Sequence, residues 1–366
     1  MRIAVLHDYF EIKGGGERSV IELAKALGAD LITGYITADS FFAKNELNFD
    51  LSRLVNLNSG SSLIGYRTLK LMQAFKRKTR FLKDYDVAIY SGNDAICAVE
   101  NHLGGKNIFY CHTPPRHLYD KRDFFWRNTS WWKRIPFYFL LKYTQPWYEK
   151  CVRKMDVVIA NSRNVQKRIQ KYLGIQSRII YPPVETGKFS WRGQDDFYLS
   201  PGRLIKLKRV DVIVRAFQRM PDKRLVVVSG GEELANIRKL AEGYGNILVK
   251  GWVSEEELAG LVGRCIATIY VPYDEDFGLI PVESMAAGKP CIGVREGGLT
   301  ESIIHGRTGY LCPKNPSPED IIRAAKGMSP EKCFGMKKDC ETRAKLFSRE
   351  RFIREMKEVV FEEEKI

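Results

Sequence analysis

Two doubly wound α/β domains are what the sequence predicts, on three observations. The chain has 366 residues, long for a single hydrophobic core. Short apolar, β-branched runs alternate with segments of helical period, in two successive series. Tyr181-Pro-Pro-Val184 stands between the series as a stiff hinge. The expected division is a first domain over 1–181, a second over 182–346, and a final amphipathic stretch, 347–366, packing back on the first.

In the first series, Arg2–Leu6, Asp86–Ser91, Asn107–Cys111 and Asp156–Ala160 read as buried parallel strands. Gly14-Gly-Gly-Glu-Arg18 opens a helix in which Val20, Ile21, Leu23, Ala24 and Leu27 keep the helical period. These glycines permit close backbone approach to a ligand, and serve equally as a flexible loop; they are not the G-x-G-x-x-G dinucleotide fingerprint. Asn107–Cys111 runs into His112-Thr-Pro-Pro-Arg-His117, a stiff loop on the ligand side of an open sheet, which makes His112 a candidate. Ser162 is placed to cap the helix that follows Asp156–Ala160.

The second series is Phe197–Ser200, Arg224–Val228, Ile247–Lys250, Cys265–Val271 and Pro290–Val294. After Cys265–Val271 comes Tyr273-Asp-Glu-Asp-Phe-Gly-Leu-Ile-Pro-Val-Glu283, read as a loop and a helix start with Pro281 in its first turn. Gly278, Leu279 and Ile280 lie where backbone N–H groups precede the helical ladder and face an anion, and Phe277 beside them is a candidate for the same binding site. Glu275 and Glu283 flank them, so the stretch suits a ligand carrying phosphate and hydroxyls.

The net charge is +15, and residues 1–190 hold 30 Lys/Arg against 17 Asp/Glu. That asymmetry gives the first half a polyanionic partner: nucleic acid, an anionic membrane or a phosphorylated acceptor. Residues 63–83 carry seven Lys/Arg and no acid around Leu69, Met72, Phe75 and Leu82, which suits an anionic lipid surface or a core helix with a solvated basic face. Residues 117–154 interleave Trp126, Trp131, Trp132 and Trp147 with Arg122, Arg127, Lys133, Arg134, Lys142 and Lys150. Two such stretches in one half favour the membrane surface over nucleic-acid stacking or interdomain packing. Eight scattered cysteines without a C-x-x-C pair read as buried, reduced thiols. No apolar run reaches transmembrane length, and the start meets His7 and Asp8 too soon for a signal peptide; the expected location is cytoplasmic or peripheral to the inner membrane face.

Taken in order, the motifs resemble glycosyltransferase family 4, retaining enzymes of the GT-B fold, in which two Rossmann-like domains face each other across a cleft. The matching pieces are Gly14–Glu17, Tyr110–Arg116, Ala160–Ser162, Pro201–Lys208 with Asp211, Gly251–Ser254, Glu275–Glu283 as E-x7-E, Gly297-Gly298 with Glu301, and Gly306–Gly309. The resemblance implies a nucleotide-diphosphate sugar held mainly by the second domain, with no cofactor and no metal. It gives Arg203 and Lys208 the diphosphate, Glu283 the ribose hydroxyls, Glu275 the transferred hexose and the Val253 backbone the base. From the first domain, His112 reaches the sugar, and Gly15 and Gly16 approach the diphosphate. Each also has a plain use: surface cation, helix-dipole compensation or solvated loop charge. Ser229-Gly-Gly-Glu232 departs from the family's usual G-x-G turn.

The Tyr110–Arg116 run looks most like branches that transfer mannose from GDP-mannose, and the resemblance implies a lipid-linked glycan or glycolipid acceptor. Another NDP-sugar such as a UDP-sugar, or a GT-B epimerase, are the nearest alternatives. A basic nucleic-acid-binding protein is disfavoured because the anion-and-hydroxyl site has no use there.

Overall fold

The computed structural model describes residues 1–11, 14–42, 46–62 and 64–362. It divides into two compact units, Met1–Pro182 with Ile353–Ile366, and Pro183–Phe352.

The first unit is built on seven parallel strands: β1 (Ile3–His7), β2 (Asp30–Thr33), β3 (Leu54–Asn56), β4 (Val87–Ser91), β5 (Lys106–Cys111), β6 (Val157–Ala160) and β7 (Arg178–Ile179). Their order is β3-β2-β1-β4-β5-β6-β7, so the winding reverses between β1 and β4. Strands β1 and β4 are buried throughout, as expected of a parallel sheet covered on both faces. The helix Gly15–Leu27 buries Val20, Ile21, Leu23 and Ala24, and Gly28 ends it in the left-handed region at φ 57°. Ser162 caps the helix Arg163–Leu173 by accepting from the Val165 amide at 3.1 Å.

The basic stretch read over 63–83 is a helix, Ile64–Lys78, followed by a 3-10 turn, Arg80–Asp84; Leu63 lies outside the described residues. Leu71, Met72, Phe75 and Leu82 are buried in the unit's core, so this apolar side meets protein, while Lys76, Arg77 and Lys78 are exposed together with Tyr66 and Gln73. The helix Arg134–Val152 behaves differently: Ile135, Tyr138, Phe139 and Tyr143 remain exposed. Near the end of the chain the helix Arg349–Phe361 buries Met356, Val359 and Val360, and Lys106 Nζ donates to the Val359 carbonyl at 2.8 Å. Residues 363–366 of the expected final stretch lie outside the described residues.

The second unit carries β8 (Tyr198–Ser200), β9 (Leu225–Val228), β10 (Ile247–Gly251), β11 (Thr268–Ile269), β12 (Cys291–Val294) and β13 (Gly309–Cys312). All are parallel, in the order β10-β9-β8-β11-β12-β13, with the reversal between β8 and β11. Strand β11 is shorter than the apolar run Cys265–Val271 predicts. The flanks of that run are buried and still hydrogen-bonded, Ile266 N to the Phe197 carbonyl and Tyr270 N to the Ile292 carbonyl, each at 2.8 Å, but as single bonds outside the ladder.

All eight cysteines are free and buried. Among the described residues no helix is long and apolar enough to cross a membrane.

Candidate active site

In an open parallel sheet, the loops leaving the carboxyl ends of the two strands at the reversal diverge and open a crevice. In the second unit those strands are β8 and β11. The loop after β8 runs through Arg203 to the 3-10 turn Lys206–Lys208, and the segment after β11 runs through Tyr270 to Glu275. They meet: Lys208 Nζ is 2.5 Å from Glu275 Oε2 and donates to the Tyr270 hydroxyl at 2.8 Å. Tyr270 is buried, and burial first, then the Glu275 charge and its hydrogen bond to that carboxylate, hold the phenol well above its ordinary pKa. A neutral hydroxyl therefore accepts from Lys208 while its proton serves Glu275. The result is a partly buried cation and carboxylate fixed by one phenol.

Glycines let the backbone close around this pair. Gly278 has φ +87°, and a Cβ there would lie 3.4 Å from Glu275 Cγ and 3.5 Å from the Tyr270 ring. Gly297, at φ +59°, approaches more closely: a Cβ would stand 2.3 Å from the Glu275 carbonyl oxygen, while the Gly298 amide donates to that same oxygen at 3.0 Å. The Gly297-Gly298 motif is thus the floor under Glu275.

Beyond Phe277, which is buried, the helix Ile280–Ala286 carries Pro281 at its start and Glu283 in its first turn. Its ladder begins with Val282 N and Glu283 N donating to the Leu279 carbonyl, so the amides of Gly278, Leu279 and Ile280 precede it. Glu283 is half-buried. Arg203 is exposed and forms no ion pair with a described residue. Val253, after β10, is partly buried and packs against the core cluster that includes Phe197, Leu199 and Val226. Its neighbour Trp252 is 74% exposed, so it is not a core residue; its indole covers Gly230, where a Cβ would meet Nε1 at 2.0 Å. The Ser229-Gly-Gly turn beneath it is tight, with Ser229 at φ 89°.

Two residues that the sequence did not single out complete this half. Tyr270 is one. Arg209, left-handed at φ 52°, donates to the carbonyls of Val271, Pro272 and Lys314 at 2.7, 2.5 and 3.1 Å, and faces the buried Glu296 at 3.8 Å. It fixes the segment that delivers Glu275. In sequence Arg209 is one cation in the run Lys206–Arg209, and only tertiary approach sets it apart.

The first unit repeats the logic at the β1/β4 reversal. His7 Nδ1 donates to the Ser91 carbonyl at 2.7 Å, and His112 Nε2 lies 2.9 Å from Ser91 Oγ. Burial lowers both imidazoles to about 4, His112 also through the neighbouring His7, so both are neutral near pH 7. Gly16 packs toward His112, its Cβ position 3.8 Å from Cε1, and Gly15 begins the adjoining helix. Asp8 accepts from the amides of Asn93, Asp94 and Ala95 at 2.7–2.8 Å and fixes the loop after β4. Among the described residues no group of three or more His, Cys, Asp or Glu side chains is arranged to hold a metal.

Two sheets of this winding, the second with a cation and a carboxylate joined at its switch point, suit a ligand that carries both an anion and hydroxyls. Comparison with known proteins gives the class. Residues 13–188 match the model of Glycosyltransferase Family 4, and residues 184–346 match that of Glycosyl transferases group 1. Together the two matches span residues 13–346 and mark the chain as a glycosyltransferase. An alpha-1,3/1,6-mannosyltransferase ALG2 from Dictyostelium discoideum is 26% identical over 88% of each chain. An N-acetyl-alpha-D-glucosaminyl L-malate synthase from Bacillus anthracis is 37% identical over 29% of each. Among solved structures, the sucrose-phosphate synthase of Thermosynechococcus elongatus aligns with a TM-score of 0.76 over 98% of both chains at 18% identity. Anabaena HepE in complex with UDP-glucose aligns at 0.73 over 99% of this chain and all of its own, at 16% identity.

Proposed function

We propose that this glycosyltransferase moves mannose from GDP-mannose to a lipid-linked glycan or glycolipid at the inner face of a membrane, with retention of anomeric configuration and without a metal. The observation that carries the reading is the Lys208–Tyr270–Glu275 cluster at the second unit's switch point. A diphosphate arriving there takes Lys208 as counter-charge and the exposed Arg203 as a second cation. Glu275, released from Lys208, accepts hydroxyls of the transferred hexose, and Glu283 accepts those of the ribose. The amides of Gly278–Ile280 add donors to the phosphates. The base lies by the Val253 backbone.

As the sugar–phosphate bond lengthens, negative charge grows on the diphosphate and positive charge on the sugar carbon. Fixed cations on one side and a fixed carboxylate on the other lower the cost of both. The leaving phosphate takes the acceptor's proton on the face it departs from, which gives retention without a protein nucleophile. His112, with Gly15 and Gly16, serves the same transfer as a neutral hydrogen-bonding group rather than an acid.

Mannose is supported by the similarity to the alpha-1,3/1,6-mannosyltransferases ALG2 of Dictyostelium discoideum, mouse and human, at 26% identity each. A membrane acceptor is supported by the basic first half and by the exposed Trp131, Trp132 and Phe139. Thermal shift with GDP-mannose, UDP-glucose and UDP-N-acetylglucosamine tests the donor. GDP-mannose at a hundred times its dissociation constant should add about 2.7 kcal/mol to stability. A larger shift from a UDP-sugar, or none from GDP-mannose, would refute the donor assignment.

A further inference from the structure

Between the helices Ile64–Lys78 and Arg134–Val152 of the first unit lies an open groove of about 500 Å³. Its rim holds four cations, Lys76 and Arg77 from one helix and Lys142 and Lys150 from the other, and one acid, Glu100. Glu100 bonds Lys76 at 2.8 Å and faces Lys150 at 3.5 Å, so a single carboxylate is shared by two ammonium groups. Arg77 and Lys142, both exposed, form no ion pair with any described residue. Lys76 also lies 5.5 Å over the Trp147 ring, whose Nε1 is buried without a hydrogen-bond partner. The groove is therefore left with uncompensated positive charge.

The groove continues into an apolar rail. On a helix of 3.6 residues per turn, Ile135, Phe139, Lys142, Tyr143, Pro146 and Lys150 fall on one face. All six are exposed, and Trp131 and Trp132 extend the rail beyond the helix start. No acid occurs from Phe124 to Tyr148. Aromatic and aliphatic side chains beside lone cations fit the depth of a bilayer at which acyl chains meet phosphates. Ile135 offers a nucleobase nothing to stack on, yet suits an acyl chain.

We infer that this groove seats the phosphate of an anionic phospholipid, with the Trp131–Tyr143 rail in the adjoining interface, so that this face of the first unit meets the membrane. The inference rests on the membrane reading above and assigns its residues.

Co-sedimentation of the full chain with phosphatidylcholine vesicles, with and without phosphatidylglycerol, is the test. Wild type should bind the phosphatidylglycerol vesicles. Arg77→Glu with Lys142→Glu should bind roughly tenfold or more weakly. Arg77→Gln with Lys142→Gln should fall between, and both variants should keep the wild-type melting temperature and donor-induced shift. Inorganic phosphate should displace the protein no better than chloride at matched ionic strength, since a lone anion cannot use the rail. Displacement by phosphate alone would overturn the lipid as occupant. Wild-type binding that the charge-reversed variant retains would overturn the groove and leave the membrane reading standing. Absence of vesicle binding, or binding of single-stranded RNA in its place, would overturn both.

Discussion

Lys208 and Glu275 are 67 residues apart in the chain, and their Nζ and Oε2 atoms are 2.5 Å apart in the second unit. The contact exists because β8 and β11, which carry their loops, are neighbours at the sheet's reversal. It holds a cation and a carboxylate in readiness for a ligand that needs both. A diphosphate competes with Glu275 for the ammonium, and sugar hydroxyls then satisfy the carboxylate, so neither charge is left unpaired.

Tyr270→Phe removes the hydroxyl that both groups share while keeping the ring that packs on Gly278. Two hydrogen bonds to charged groups are lost, but Lys208 and Glu275 keep each other, so the net loss is that of about one such bond, about 1.5–3 kcal/mol. Steady-state kinetics should show kcat/KM reduced by roughly tenfold to a hundredfold, with little change in melting temperature. Unchanged kinetics would remove Tyr270 from the site.

Gly297→Ala should cost more than an ordinary glycine replacement. It meets both a left-handed backbone and the Glu275 carbonyl oxygen, whereas Gly306, at φ +82°, has nothing within 4 Å of its Cβ position. Urea unfolding should place Gly306→Ala at about 1–2 kcal/mol of destabilisation and Gly297→Ala distinctly beyond it. Only Gly297→Ala should also lower kcat. Equal costs would contradict the close approach.

Much of both sheets could be read directly. Val87–Ser91 and Cys291–Val294 are buried at every position, and such strands appear in the chain as continuous apolar runs. Asp30–Thr33, Leu54–Asn56 and Arg178–Ile179 escaped that reading because short edge-side strands with polar ends lack the pattern. The loop from Glu275 to Glu283 was legible because strand, loop, proline and acid occur in register. Tyr270 was not, since a buried aromatic in an apolar run looks like core. Nor were His7 and Ser91, whose meeting with His112 depends on the strand order.

His112 provides a pH test. Its ordinary pKa of 6.5 is lowered to about 4 by burial and by His7. Between pH 6.5 and 4 the unfolded chain therefore takes up a proton that the folded chain refuses, and this side chain withdraws stability as pH falls. Asp8, raised to about 6 by burial, acts in the opposite sense over the same range, so total stability does not isolate His112. The difference between His112→Gln and wild type does. From pH 7 to pH 5 the variant should gain on wild type by about 2 kcal/mol. A constant difference would show that His112 titrates normally.

Arg209→Gln should destabilise the second unit by about 2–4 kcal/mol, because it strips three carbonyls of a donor and leaves Glu296 buried with only the exposed Lys314 at 3.2 Å. Glu296→Gln in the same chain should recover part of that loss, and Arg209→Lys should not, since a single ammonium cannot reach the same carbonyls. Additive losses in the double variant would break the proposed coupling.

The proposed role of Lys208 and Glu275 in mannosyl transfer is measured directly by transfer of labelled mannose from GDP-mannose into a membrane lipid extract. Wild type should label the lipid fraction, with chelator present, while Glu275→Gln and Lys208→Met stay folded and label it at least ~100-fold more slowly. Full-rate labelling by either variant, or wild-type labelling from a UDP-sugar and not from GDP-mannose, would contradict the account.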